Sequence, residues 1–360
     1  MIAVSYPHAA PITRCPFGPR WGMLAGVTRQ HTEAEVEIAC DESGSDGENL
    51  TGGNTDVFAH GSVDVPMADA AAAILEIRDR IRSPAEEYKA NHLLREKHRA
   101  VLEWTLGPSG PLHGRAYVHL TEKTFFMVER VVDLLLGDPA GAAPLFRAGA
   151  HTFGDERWTA FLTAANALLR VRGDADAGPG APVDAFFHAV DALTERAPDL
   201  RDRSMVDTAD VADVLKLLGG ARSRAADHRA RLLASPVLIP VLNPLLPAIA
   251  RTAAYWSAGG RAVTLVHDRQ NMLTEERIEW LRETARIEGL RLVVARDDTR
   301  VQLADFLAGI ARSIASHELN GRGDATLTAL LRPYVDSGSA WGSVWGDEGS
   351  KGRLFGAVHS

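Results

Sequence analysis

The chain has 360 residues, 46% hydrophobic and 24% charged, with 47 acidic side chains against 39 basic ones and a net charge of -8. This is ordinary globular composition, and it excludes a chain-wide basic footprint for nucleic acid while leaving room for a local groove. The two cysteines, Cys15 and Cys40, exclude a disulfide framework, and the length suits one large domain with an insertion, or two domains.

Residues 1–33, rich in Pro, Gly, Arg and His, read as an N-terminal extension, with no basic and apolar leader pattern. Residues 34–41 alternate, with Val36, Ile38 and Cys40 on one face and Glu35, Glu37, Ala39 and Asp41 on the other. This is the first predicted strand, and "DVFAHGSVDV" (56–65) is its expected hairpin partner across a flexible Gly-rich loop. "ADAAAAILEIRDRIR" (68–82) has helical spacing and stops at Ser83-Pro84. A helix over roughly 91–106, the strand "RAYVHL" and the helix "KTFFMVERVVDLLLG" complete a first core segment, 34–137.

Residues 138–259 turn rich in Ala, Arg and Asp and read as a helical insertion, a candidate surface for a protein partner. Within it, "LLASPVLIPVLNPLLPAIA" carries Pro236, Pro240, Pro244 and Pro247, so it reads as buried core or irregular packing and not as a membrane helix. The α/β pattern returns over 260–335. "RAVTLVHD" is a strand ending at Asp268, "TEERIEWLRETARIEG" a helix, "LRLVVARD" a strand, and "DTRVQLADFLAGIARSIASHEL" a helix carrying Gln302 and Asp305. Residues 336–360, Gly- and Ser-rich, read as a flexible tail. The expected class is α/β, a mixed sheet flanked by helices with a large helical insertion, in a cytoplasmic protein.

Asp41 and Asp268 close predicted strands, Asp305 lies in the first turns of a helix, and Glu87 follows the first helix. Acids at the ends of adjacent strands converge on one rim of a sheet, and such oxygen-rich clusters suit Mg²⁺ or Mn²⁺. Two such ions about 4 Å apart activate water and stabilise the leaving oxygen in phosphodiester hydrolysis. Each acid also has a plain reading. Asp268 could form a turn, and Glu87 could be a solvated carboxylate paired with Lys89. Asp305 stands beside apolar Leu303, Phe306, Leu307 and Ile310, so it would be partly buried and would require a partner. The acidic loop from Asp41 lacks the glycine of a calcium-binding EF-hand at its sixth position, where Asp46 stands. The His267-Asp268 pair lacks the further histidines of a helical metal phosphohydrolase.

"CDESG" after an apolar strand, with "VQLADFLAG" near the C-terminus, resembles the DUF3800 family; "EYK" and "TLVHDR" look like its intermediate segments. The likeness covers about 34–135 and 260–335. It implies an RNase H-like fold, of the kind found in nucleases that use two metal ions. Under it, Asp41 would be the central metal ligand, with Asp268 and Asp305 completing the cage and Glu87 an optional catalytic ligand. Glu42 would be a second ligand or would face the other way, since neighbouring strand residues diverge. Gln302 would orient a ligand or touch substrate, and Lys89 would hold a phosphate or neutralise Glu87. The function so implied is a metal-dependent nuclease acting on nucleic acid. The alternatives are an enzyme for a nucleotide or other small phosphorylated molecule, and a non-catalytic assembly protein.

Overall fold

β1 (Val36–Ser43), buried on both faces from Ile38 to Asp41, is the centre of a five-stranded mixed sheet with order β3-β2-β1-β4-β5. β2 (Val57–Val63) and β3 (Ala116–Glu122) extend it as an antiparallel meander. β4 (Val263–Asp268) and β5 (Gly289–Val293) extend it on the other side, both parallel to β1. The computed structural model describes residues 35–82, 90–171, 180–196, 208–234 and 239–341; Cys15, Glu87 and Lys89 lie outside them.

Thirteen α-helices follow in chain order among the described residues: α1 (Met67–Ile81), α2 (Ala90–Leu93), α3 (Arg99–Leu106), α4 (Lys123–Leu136), α5 (Ala142–Phe153), α6 (Asp155–Leu169), α7 (Ala181–Thr194), α8 (Thr208–Gly219), α9 (Arg222–Ala234), α10 (Leu245–Trp256), α11 (Glu275–Ala285), α12 (Thr299–Leu319) and α13 (Ala325–Leu331). α1 buries Ala70, Ala73, Ile74, Ile77 and Ile81, the apolar stripe its spacing predicts, and Arg82 ends it in the left-handed region. The helix expected over 91–106 is instead two, because Arg95 adopts an extended backbone between them.

The period of two assigns each sheet face its own layer. Ala39, Ala59, Val118, Leu120 and Val266 pack with α1 and α12. Ile38, Cys40, Phe58, Tyr117 and Leu265 pack with α10 and α11. α10 thus lies within the span read as an insertion but serves as the cover of one sheet face. α4 to α7 are joined by an aromatic ladder from Phe125 through Phe146, Trp158, Phe161 and Phe186.

Two further features differ from expectation. The start of the expected tail is a strap along β3: Asp336 donates its N–H to the Val118 carbonyl at 2.8 Å, and Ala340 donates to Leu120 at 2.9 Å. The loop between β1 and β2, expected to be flexible, is pinned at both ends. Lys123, buried under it, donates to Asp46 and Thr55, and Asn166 of α6 accepts the Leu50 N–H at 2.8 Å and donates to the Glu48 carbonyl at 3.0 Å.

Gly61 sets how closely α12 approaches the sheet. It pairs with Asp41 across the β1–β2 ladder, and a β-carbon there would lie 2.8 Å from the Ala304 carbonyl oxygen and 3.0 Å from the Ala308 nitrogen. Gly61→Ala is therefore expected to push α12 outward and cost about 1–3 kcal/mol, read as a lowered denaturant midpoint. An unchanged midpoint would mean that the helix yields freely at this crossing.

No helix among the described residues is long and apolar enough to cross a membrane.

Candidate metal centre

Parallel pairing of β1 with β4 brings their C-terminal ends to one rim, with Cys40 opposite His267. Each strand then ends in two polar residues facing opposite ways, Asp41 and Glu42 on β1, His267 and Asp268 on β4. Asp41 lies on the face covered by α12, the helix that carries Asp305.

Asp41 is only 8% exposed, and its carboxyl accepts the Glu42 N–H at 2.8 Å. Burial, and then the charges of Glu42, Asp305 and Asp268, push its pKa up to about 9. Glu42, Asp305 and Asp268 therefore all act on Asp41, so four of the five acids singled out in the sequence bear on a single site. Like charges so placed each disfavour ionisation of the next, and a cation among them reverses that effect.

Asp268 also fills the turn role foreseen for it, since its Oδ1 accepts the Ala295 N–H at 2.9 Å. Gln302 donates from Nε2 to the Arg296 carbonyl at 3.2 Å. Both side chains thus hold the one turn, residues 295–297, that leads into α12.

On the opposite face stand Glu42 and His267. His267 is fully buried, and its Nδ1 makes a 2.9 Å hydrogen bond with the Asp268 carbonyl. Its Nε2 is 3.6 Å from Glu42 Oε2, and neither atom has a hydrogen-bond partner. Burial raises the Glu42 pKa, against the opposing pull of His267. Asp41, Glu42 and His267 each bring one potential ligand atom within 4.8 Å of the others. The sequence singled out both acids but set His267 aside. The signal was present: two parallel strands that each end in adjacent polar residues supply one pair to each sheet face.

Beyond Ser43 the same stripe of α12 turns basic and hydroxylated. Asp305, Arg312, Ser316 and Asn320 follow at helical spacing, and Arg312 Nε donates to Ser43 Oγ at 3.0 Å. Arg312 and Arg322 line an open cleft of about 380 Å³ with Thr55, Thr124, Ser316 and Asn320. At 1.5 Å rise per residue the seven residues from Asp305 to Arg312 span about 10 Å of helix axis. Glu87 and Lys89 fall outside the described residues.

Comparison of the chain with protein-family models, curated proteins and solved structures finds no match.

Proposed function

We propose that the chain is a divalent-metal-dependent phosphodiester-processing enzyme of nuclease type, built on an RNase H-like core of the DUF3800 kind. One observation carries the reading: acids from the ends of two adjacent parallel strands and from α12 act on the buried Asp41, whose pKa burial first and then their charges push up to about 9. The strand arrangement supports the fold reading, because it sets the first strand at the centre of a mixed sheet with a metal-ligand candidate at its end.

The donor set fits the cation. Asp41, Asp268 and Asp305 offer only carboxylate oxygens, the chemistry that Mg²⁺ and Mn²⁺ select. A bound divalent ion would supply an acidified water and charge neutralisation at the leaving oxygen. The chain's own residues do the rest. Asp268 and Gln302 fix the turn beside the site, and α12 holds Asp305 against β1. Arg312 and Arg322 give the acidic protein a local cationic surface for phosphate oxygens. The proposed location is cytoplasmic.

The direct test is a screen of single- and double-stranded DNA, RNA and nucleotides with Mg²⁺ or Mn²⁺. Metal-dependent cleavage of a phosphodiester is expected, and Arg312→Gln should raise KM about tenfold, a loss of ~1.4 kcal/mol in line with one charge-assisted hydrogen bond. An unchanged KM would remove the cleft from the reading. A nucleotide or other small phosphorylated molecule is the second reading, favoured by the net charge of -8; hydrolysis confined to mononucleotides would select it. Absence of any metal effect on melting would favour a non-catalytic assembly role, with the helical region α5 to α9 as the partner surface.

A further inference from the structure

We infer that the buried position between His267, Glu42 and Asp41 is a second cation site, which takes a first-row transition ion of the Mn²⁺ or Zn²⁺ class in preference to Mg²⁺. A backbone carbonyl only accepts, so the 2.9 Å contact with the Asp268 carbonyl places the imidazole proton on Nδ1. In the neutral imidazole Nε2 then presents a lone pair to Glu42 Oε2 at 3.6 Å, one acceptor facing another; the competing arrangement is an imidazolium paired with Glu42. His267 is 0% exposed, so water does not reach Nε2 from bulk. Buried polar atoms are almost always partnered, and two that face each other without a partner call for a positive species between them.

The surroundings narrow that species. Among the described residues no Lys or Arg pairs with Asp41 or Glu42; the one basic group near Glu42 is His267 itself. The far nitrogen of His267 is tied to a backbone carbonyl, which fixes ring orientation and tautomer in the way that metal-ligating histidines are held. The His60 ring is stacked on His267 at 5.3 Å between centroids, and His60 Nδ1 is hydrogen-bonded to Thr252 at 2.9 Å, so the imidazole has little freedom to turn away. Asp41 brings an atom within 4.8 Å of both others.

One imidazole nitrogen and two carboxylates form a mixed nitrogen and oxygen set. Mg²⁺ demands near-octahedral oxygen, whereas Mn²⁺ and Zn²⁺ accept imidazole beside carboxylate. The two faces of the sheet rim would therefore differ in selectivity, oxygen-only toward α12 and nitrogen-bearing toward α10, with Asp41 shared between them. The inference rests on the metal-centre reading for the role of Asp41, and on His267 for everything else.

The experiment is electron paramagnetic resonance of the full chain with Mn²⁺, read for coupling to nitrogen-14, together with melting curves in Mn²⁺, Zn²⁺ and Mg²⁺. Nitrogen coupling is expected, with stabilisation at lower concentration for Mn²⁺ and Zn²⁺ than for Mg²⁺. His267→Gln should remove the coupling and weaken Mn²⁺ at least about tenfold while changing the Mg²⁺ response less than about twofold. Bound Mn²⁺ without nitrogen coupling overturns the inference, as does equal Mn²⁺ affinity in His267→Gln. If His267→Gln does not fold, the spectrum of the unmodified chain decides alone. Nitrogen coupling without phosphodiester cleavage keeps this inference and sinks the proposed function. Mg²⁺-dependent cleavage without coupling does the reverse.

Discussion

Asp41→Asn is expected to abolish metal-dependent cleavage and to raise the melting temperature of the protein measured in chelator. Both effects come from the same crowding of acids. In the folded chain burial, then Glu42, Asp305 and Asp268, push Asp41 up to about 9, against an ordinary value of 3.8. The folded state therefore keeps a proton that the unfolded chain releases. Stability from this group is full below the unfolded value and is lost as pH rises toward 9. At pH 7 the loss approaches ~4 kcal/mol, from about 1.4 kcal/mol per unit of pKa. Asparagine cannot ionise, so the variant should melt several degrees higher, at about 2 °C per kcal/mol. Its stability should also vary less between pH 5 and 8.5. Saturating Mg²⁺ or Mn²⁺ should flatten the unmodified protein's profile in the same way, since an ion that binds only the folded form at 100 times its Kd adds about 2.7 kcal/mol. Activity should fall by about 10³-fold or more, as when one member of a catalytic unit is removed. A variant that still cleaves would sink Asp41 as a ligand. A flat pH profile in chelator would sink the electrostatic account.

The positions of Asp41, Asp268 and Asp305 in the fold were legible because each sits where a local pattern ends or is interrupted. Alternation from Val36 to Cys40 marks a strand, which the structure buries on both faces, and whatever follows stands at its rim. The same holds for Asp268 after the apolar run of β4, and Asp305 interrupts the buried stripe of α12. Which face Glu42 joins was open for the reason that decides it: neighbouring strand residues diverge, and only the partner on β4 shows that His267 diverges with it. The loop after β1 misled because its Gly, Ser, Asp and Asn content describes the loop's own freedom. What holds it is Lys123 and Asn166, 77 and 116 residues away from Asp46 and Leu50. Contacts at such separations leave no period in the sequence. The break at Arg95 is similar, since nothing in "HLLREKHRA" forbids a continuous helix. α10 was grouped with the insertion by its helical surroundings, which say nothing about which layer the helix joins.

Asp336→Ala is expected to be among the most destabilising single changes in the described chain. Asp336 is 5% exposed, and its carboxylate accepts from His119 Nδ1 at 2.9 Å, from Arg251 Nε and Nη2 at 2.9 and 2.8 Å, and from the Gly338 N–H at 2.9 Å. Those contacts join the strap to β3 and to α10, two layers that the local sequence does not link. Burial by itself would raise the pKa of this carboxyl, but the hydrogen bonds from His119 and Arg251 prevail and hold it well below the carboxylate range. Its contribution is therefore complete above an unfolded value of about 4 and is lost as pH falls below it. The alanine variant should lose ~3–5 kcal/mol at pH 7, the cost of stranding the partners of a buried pair. Its deficit should narrow toward pH 2. Asp324 makes a fitting control. It pairs with Arg99 near the surface, with side-chain exposures of 41% and 35%, and caps α13 through the N–H groups of Thr326 and Leu327. Removing it should cost only about 1 kcal/mol, mostly the cap, because an exposed pair is screened by solvent. Denaturant titrations of the two variants decide the matter. Equal losses would show that the strap is held by its backbone bonds to Val118 and Leu120, and that the buried carboxylate is incidental to it.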